Sequence, residues 1–175
     1  MKRSFASLSP QEALHVAVFI EERNAELYHR FAEMFVEFRD VESLEIASVF
    51  WDMAVEERHH STLLLERYTE RFGSAACSMT EDDLQELIEV PRLEDGDVFN
   101  AAAAASGVTP RERALQVALS AELNAQKFYA DLVSITTDPR MMKFYGELSE
   151  FESDHITFLE KKIHESPAKE KGGPA

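Results

Sequence analysis

Residues 56–64 read EERHHSTLL and residues 151–159 read FESDHITFL. Set against each other without a gap, they pair Glu57 with Glu152 and His60 with His155. Residues three apart in a helix stand on one face about a turn apart, so each pair can offer a carboxylate and an imidazole to one cation. The earlier halves match too: ALHVAVFIEERNAELY at 13–28 lies on ALQVALSAELNAQKFY at 114–129, which puts Glu21 on Glu122 and Tyr28 on Tyr129. The chain therefore reads as two copies of one helical hairpin.

Start and stop signals place the helices. Ser9, Pro10 and Glu12 form a capping box with proline at the first helical position, and apolar periodicity runs on to about Phe38. Asp40 can cap a second helix to about Arg71, with Gly73 as its stop. Thr109, Pro110 and Glu112 repeat the first signal and open a third helix ending near Thr136; Asp138 and Pro139 open a fourth that fades near His164. Short loops within each pair make antiparallel hairpins. The long stretch between them, 73–108, reads as a crossover with short helices around Thr80 to Glu89 and Val98 to Ala105. The expected fold is all-α: a four-helix bundle over 9–164, two antiparallel hairpins joined by a long crossover, with an N-terminal segment 1–8 and a flexible polar tail 165–175.

Composition supports one helical domain. The 175 residues are 45% hydrophobic and 29% charged, with only six Gly and six Pro. Eighteen basic against 33 acidic residues give a net charge of −15, which argues against nucleic acid or an anionic membrane as partner. Cys77 is the only cysteine, so an internal disulfide, a zinc ribbon and a cysteine-based iron site are excluded. The apolar run Ala13 to Ile20 is too short for a span and continues into a charged helix, so the expectation is a cytoplasmic protein without a membrane span.

Register and facing test the six candidates independently. Residues level across an antiparallel hairpin lie equally far from its turn; positions 21 and 57 centre on 39, and 122 and 152 centre on 137, both in the expected turns. Glu57 and His60 continue the stripe Phe50, Met53, Leu64, and Glu152 and His155 continue Tyr145, Leu148, Leu159. Glu21 shares a face with Leu14, Ala17 and Tyr28, and Glu122 with Leu115, Ala118 and Tyr129. Glu56 with His59 has the same spacing but lies on a face with Asp52 and has no equivalent in the second copy. Glu22 competes with Glu21, because its spacing to Ala25 copies that of Glu122 to Ala125; Glu21 is favoured. Trp51, Met53, Met141 and Met142 read as core or interface packing.

Four glutamates in an apolar core repel one another and suffer desolvation unless cations compensate them. The expected ligands are Glu21, Glu57, His60, Glu122, Glu152 and His155. Carboxylate and imidazole without thiolate suits two iron ions, with manganese or zinc also accommodated. Tyr28 and Tyr129 are expected in the core with hydroxyls near the site.

With EERNAELY, EERHH, AELNAQKFY and FESDH in place, the chain resembles the rubrerythrin branch of the ferritin-like superfamily over about residues 9–164. From its start through RYTERFG it is also similar to the ferritin-like domain of erythrin-type iron exporters. The resemblance implies a di-iron site, a homodimer, and ferrous iron oxidation or peroxide reduction with dioxygen or hydrogen peroxide as oxidant. It also marks two departures. One cysteine cannot build a rubredoxin module, so peroxidase turnover would need an external electron donor, and Gln126 and Lys127 occupy the turn where a further glutamate commonly follows Glu122.

Overall fold

The chain is described by a computed structural model that covers residues 7–87 and 107–165. The described residues form five α-helices: α1 (Pro10–Phe38), α2 (Val41–Phe72), α3 (Glu81–Leu87), α4 (Pro110–Ile135) and α5 (Pro139–His164). No strand occurs among the described residues. The expected helix near Val98 to Ala105 and the tail beyond residue 165 lie outside them.

Local sequence explains the ends. Ser9 Oγ accepts from the Glu12 N–H while Glu12 Oε2 accepts from the Ser9 N–H, and Thr109 with Glu112 repeats this reciprocal pair at the start of α4. Asp40 caps α2 through the Ser43 N–H, and Asp138 caps α5 through the Arg140 N–H. Between α1 and α2 only Arg39 and Asp40 remain, so the turn is sharp; Arg39 takes the left-handed conformation (φ 59°) that lets the chain reverse.

Contacts at the helix ends fix the topology. Gln11, at the start of α1, donates to the Tyr68 hydroxyl near the end of α2, so the first hairpin is antiparallel. Arg111, at the start of α4, donates to the Lys162 carbonyl near the end of α5, so the second is too. Arg71 pairs with Asp138 at 2.6 Å, bringing the end of α2 to the start of α5. The chain therefore leaves α2 at one end of the bundle and enters α4 at the other. The two ends joined by the connection 73–109 therefore lie a bundle length apart, about 40 Å at 1.5 Å per residue of helix. This is the crossover expected from the sequence.

The core is layered. One apolar cluster holds Ala13 to Ile20 of α1, Leu64 of α2, Ala125 to Leu132 of α4 and Met141 to Leu148 of α5. A second holds Leu27 to Phe35, Ile46 to Ala54, Ala114 to Ala121 and Leu159 of the same four helices. Positions 21, 57, 60, 122, 152 and 155 fall in the gap between them on every helix. Not all apolar residues join the core: Met53 and Met141 are buried, whereas Trp51 is 51% exposed against the His29 ring and Met142 is 40% exposed. No described helix is long and apolar enough to cross a membrane.

Candidate metal centre

Each of the four long helices contributes to the polar layer from the face its periodicity turns inward. Glu21, Glu57, Glu122 and Glu152 are fully buried, and His60 and His155 nearly so. The structure brings all six side chains together as two overlapping groups. Glu21, Glu57, His60 and Glu152 form one, and Glu57, Glu122, Glu152 and His155 the other; within each group the potential ligand atoms lie within 4.8 Å of one another. Each group thus takes its histidine and two glutamates from one hairpin and one glutamate from the other. Glu57 and Glu152 belong to both. Glu22 is exposed on the outer face of α1, and Glu56 and His59 are exposed on α2.

Both imidazoles turn Nδ1 toward the carboxylates. His60 Nδ1 lies 3.5 Å from Glu21 Oε2 and 3.8 Å from Glu57 Oε2. His155 Nδ1 lies 3.0 Å from Glu57 Oε1, 3.4 Å from Glu122 Oε2 and 3.9 Å from Glu152 Oε2. The tyrosines cross between hairpins: the Tyr28 hydroxyl of α1 donates to Glu122 Oε1 of α4, and the Tyr129 hydroxyl of α4 donates to Glu21 Oε1 of α1. Each outer glutamate is thereby held by one oxygen and presents the other to the centre.

The electrostatics are those of a site short of positive charge. Burial, reinforced by the charge of Glu57, raises the Glu21 carboxyl well above the usual carboxylate range. Burial and the charge of Glu21 do the same to Glu152. Glu57 is the exception: burial opposes its ionisation, but the neighbouring Glu21 carboxyl and the His155 and His60 imidazoles outweigh it and hold the carboxyl below its ordinary value. Burial disfavours the charged imidazoles too, yet the facing carboxylates raise His60 to about 9 and His155 to about 11. Burial raises both tyrosines well above 10, so they stay neutral donors. In the metal-free protein, protons therefore carry the compensation that cations would otherwise supply.

That compensation is incomplete. Both oxygens of Glu57, both of Glu152, Glu21 Oε2 and His60 Nδ1 are buried without a partner in hydrogen-bonding geometry among the described residues. Acceptor atoms orphaned in an apolar interior are costly, and here they converge. Four carboxylates also balance the charge of two divalent cations, so the donor set fits a dinuclear centre of hard or borderline metal ions. Two further residues border the site. Asn24, one turn from Glu21, is buried with Nδ2 unpartnered, and Glu56 Oε2 lies 2.7 Å from His155 Nε2. Helical spacing passed over Asn24 and set Glu56 aside as the outward partner of His59, because spacing reports only residues on one helix face.

A family model described as rubrerythrin matches residues 12–111. The chain belongs to the rubrerythrin family. The matched stretch spans α1, α2, the connection and the first residues of α4, so it includes Glu21, Glu57 and His60. Glu122, Glu152 and His155 lie beyond it and rest on the internal repeat and on their position in the structure. A solved structure of an uncharacterized conserved protein from Magnetospirillum magnetotacticum superposes with a TM-score of 0.71 at 22% identity, covering 93% of this chain and 98% of that one. That likeness is one of fold, and it covers both hairpins. A comparison with curated proteins finds no match. Cys77 is the only cysteine among the 175 residues, too few to build a rubredoxin module within them.

Proposed function

We propose that this protein is a di-iron carboxylate oxidoreductase that oxidises ferrous iron, reduces hydrogen peroxide, or does both, in iron homeostasis and defence against oxidative damage. The observation that carries the reading is the pair of interlocked three-glutamate, one-histidine groups sharing Glu57 and Glu152. Glu21 and His60 would hold one ion, Glu122 and His155 the other, with Glu57 and Glu152 available to both. When bound, two ferrous ions supply two electrons, enough to take one hydrogen peroxide with two protons to two waters.

The chain's own groups do the rest. The glutamates would neutralise the charge of the ions and supply the hard oxygen donors that iron accepts. Tyr28 and Tyr129 fix Glu122 and Glu21 in place. The apolar layers on both sides keep bulk water away, so charges in the site interact strongly. Repeated peroxide turnover requires an external electron donor. The reading includes a cytoplasmic homodimer, with manganese or zinc as possible replacements for iron.

Stopped-flow absorbance after mixing Fe(II)-loaded protein with dioxygen or peroxide tests it. The expected result is an oxidised di-iron band in the wild type that is lost in Glu57→Ala. Absence of the band, or an unchanged rate in the variant, contradicts the reading. A single cysteine, too few for a rubredoxin module within these 175 residues, favours one alternative, an iron-binding or iron-delivery protein. Tight iron binding with peroxide consumption never exceeding stoichiometry, even with an added reductant, would select it.

A further inference from the structure

The two halves of the centre are not equivalent, and the difference lies just outside the six candidate ligands. The ungapped repeat that pairs Glu57 with Glu152 also pairs Glu56 with Phe151. Both members of this second pair reach across the bundle to the histidine of the other hairpin. Glu56 Oε2 of α2 stands 2.7 Å from His155 Nε2 of α5. Phe151 of α5 stacks on the His60 ring of α2, centroids 5.0 Å apart and planes inclined by 22°. One imidazole therefore has a carboxylate at its far nitrogen, and the other has a hydrocarbon ring in the repeat-related place.

The chemistry of the two arrangements differs. With a carboxylate accepting at Nε2, the ring proton of His155 is held on that nitrogen and the Nδ1 lone pair is free to face the centre. Such a partner also fixes the ring plane and makes the imidazole a better donor to a cation. Phe151 can fix the plane of His60 by stacking, but a phenyl ring has no lone pair to hold a proton.

We propose that Glu56 is a positioning residue for His155 that makes the two metal positions unequal. The position built on Glu122 and His155 fills first and holds its ion more tightly, and the one built on Glu21 and His60 is the exchangeable position. This rests on the dinuclear reading above and assigns its halves different roles: a retained ion and one that loads and leaves. Because Glu56 and Phe151 are largely exposed, both can be substituted without opening the core.

Calorimetric titration of the metal-free protein with Co(II), read in parallel by visible absorption, tests the assignment. The wild type is expected to bind two ions in two resolved steps. Glu56→Ala should weaken the tighter step by about 10- to 100-fold and alter its absorption band, leaving the weaker step in place. Glu56→Gln, whose amide oxygen still accepts from Nε2, should recover much of the loss. Phe151→Glu, which gives His60 the missing carboxylate, should tighten the weaker step. Asp52→Asn removes a nearby exposed charge on the same helix and should leave both steps unchanged. Two ions bound with Glu56→Ala indistinguishable from wild type would overturn the inequality and leave the dinuclear reading standing. Equal losses in Asp52→Asn and Glu56→Ala would overturn the positioning role in favour of general surface charge. No bound Co(II) in the wild type would overturn both.

Discussion

At the scale of single residues, the site depends on groups that no intrahelical spacing reveals. Tyr28 and Tyr129 each donate across the bundle to a buried glutamate of the other hairpin. Removing either hydroxyl leaves a buried carboxyl oxygen unpaired, which costs about 1–3 kcal/mol. The two losses should differ. Glu122 keeps His155 Nδ1 within 3.4 Å, whereas the other oxygen of Glu21 already lacks a hydrogen bond. In urea denaturation of the metal-free protein, Tyr129→Phe is therefore expected to cost more than Tyr28→Phe, and both more than Tyr145→Phe. Equal midpoints for all four proteins would show that the crossed pairs contribute nothing. The six clustered side chains were legible in the sequence because the chain writes their pattern twice: a chance Glu and His three apart has no partner at matching height on a matching face. Glu56 and Asn24 were not. Glu56 meets His155 from a neighbouring helix at a sequence separation of 99, and nothing in the local pattern encodes that approach.

At the scale of helices, the signals that proved readable were those acting over three or four residues. Ser9 with Glu12, Thr109 with Glu112, Asp40 and Asp138 start helices where capping chemistry requires. What a face does once formed was less legible: Trp51 and Met142 lie on outward positions, because helical periodicity ranks faces but an apolar side chain can still fall on the rim. Asp138 adds a tie between hairpins through Arg71, at 2.6 Å. That hydrogen bond, joined by the Arg140 N–H, holds its carboxyl below the ordinary 3.8. A depressed carboxyl stabilises the folded state above its unfolded value and loses that contribution as pH falls through the folded one. Asp138→Asn keeps the cap but removes the charge. The variant should be less stable than wild type at pH 6, with the gap closing as pH drops below about 3.8. A gap that stays constant between pH 6 and pH 2.5, measured by thermal unfolding, would assign the tie to the cap alone. The pair is exposed, so the gap is expected to be small.

At the scale of the whole molecule, two hairpins that each pack along their own length meet across a shared polar layer. Glu57 and Glu152 belong to both candidate groups, so any ions held there would tie four helices at mid-bundle. A ligand that binds the folded chain alone stabilises it, by about 4 kcal/mol at a free concentration a thousandfold above the dissociation constant. Chelation at neutral pH is accordingly expected to lower the melting temperature, and re-addition of Fe(II) under anaerobic conditions to restore it. An unchanged melting temperature would count against a buried site. The central claim is that these six side chains, and not some surface cluster of the acidic chain, hold two metal ions. Anomalous scattering from crystals of the iron-loaded protein, collected on both sides of the iron edge, tests this most directly. The account predicts two iron peaks per chain, one within reach of Glu21 and His60 and one within reach of Glu122 and His155. A polar layer without an iron peak, or iron found only at surface carboxylates, would contradict it.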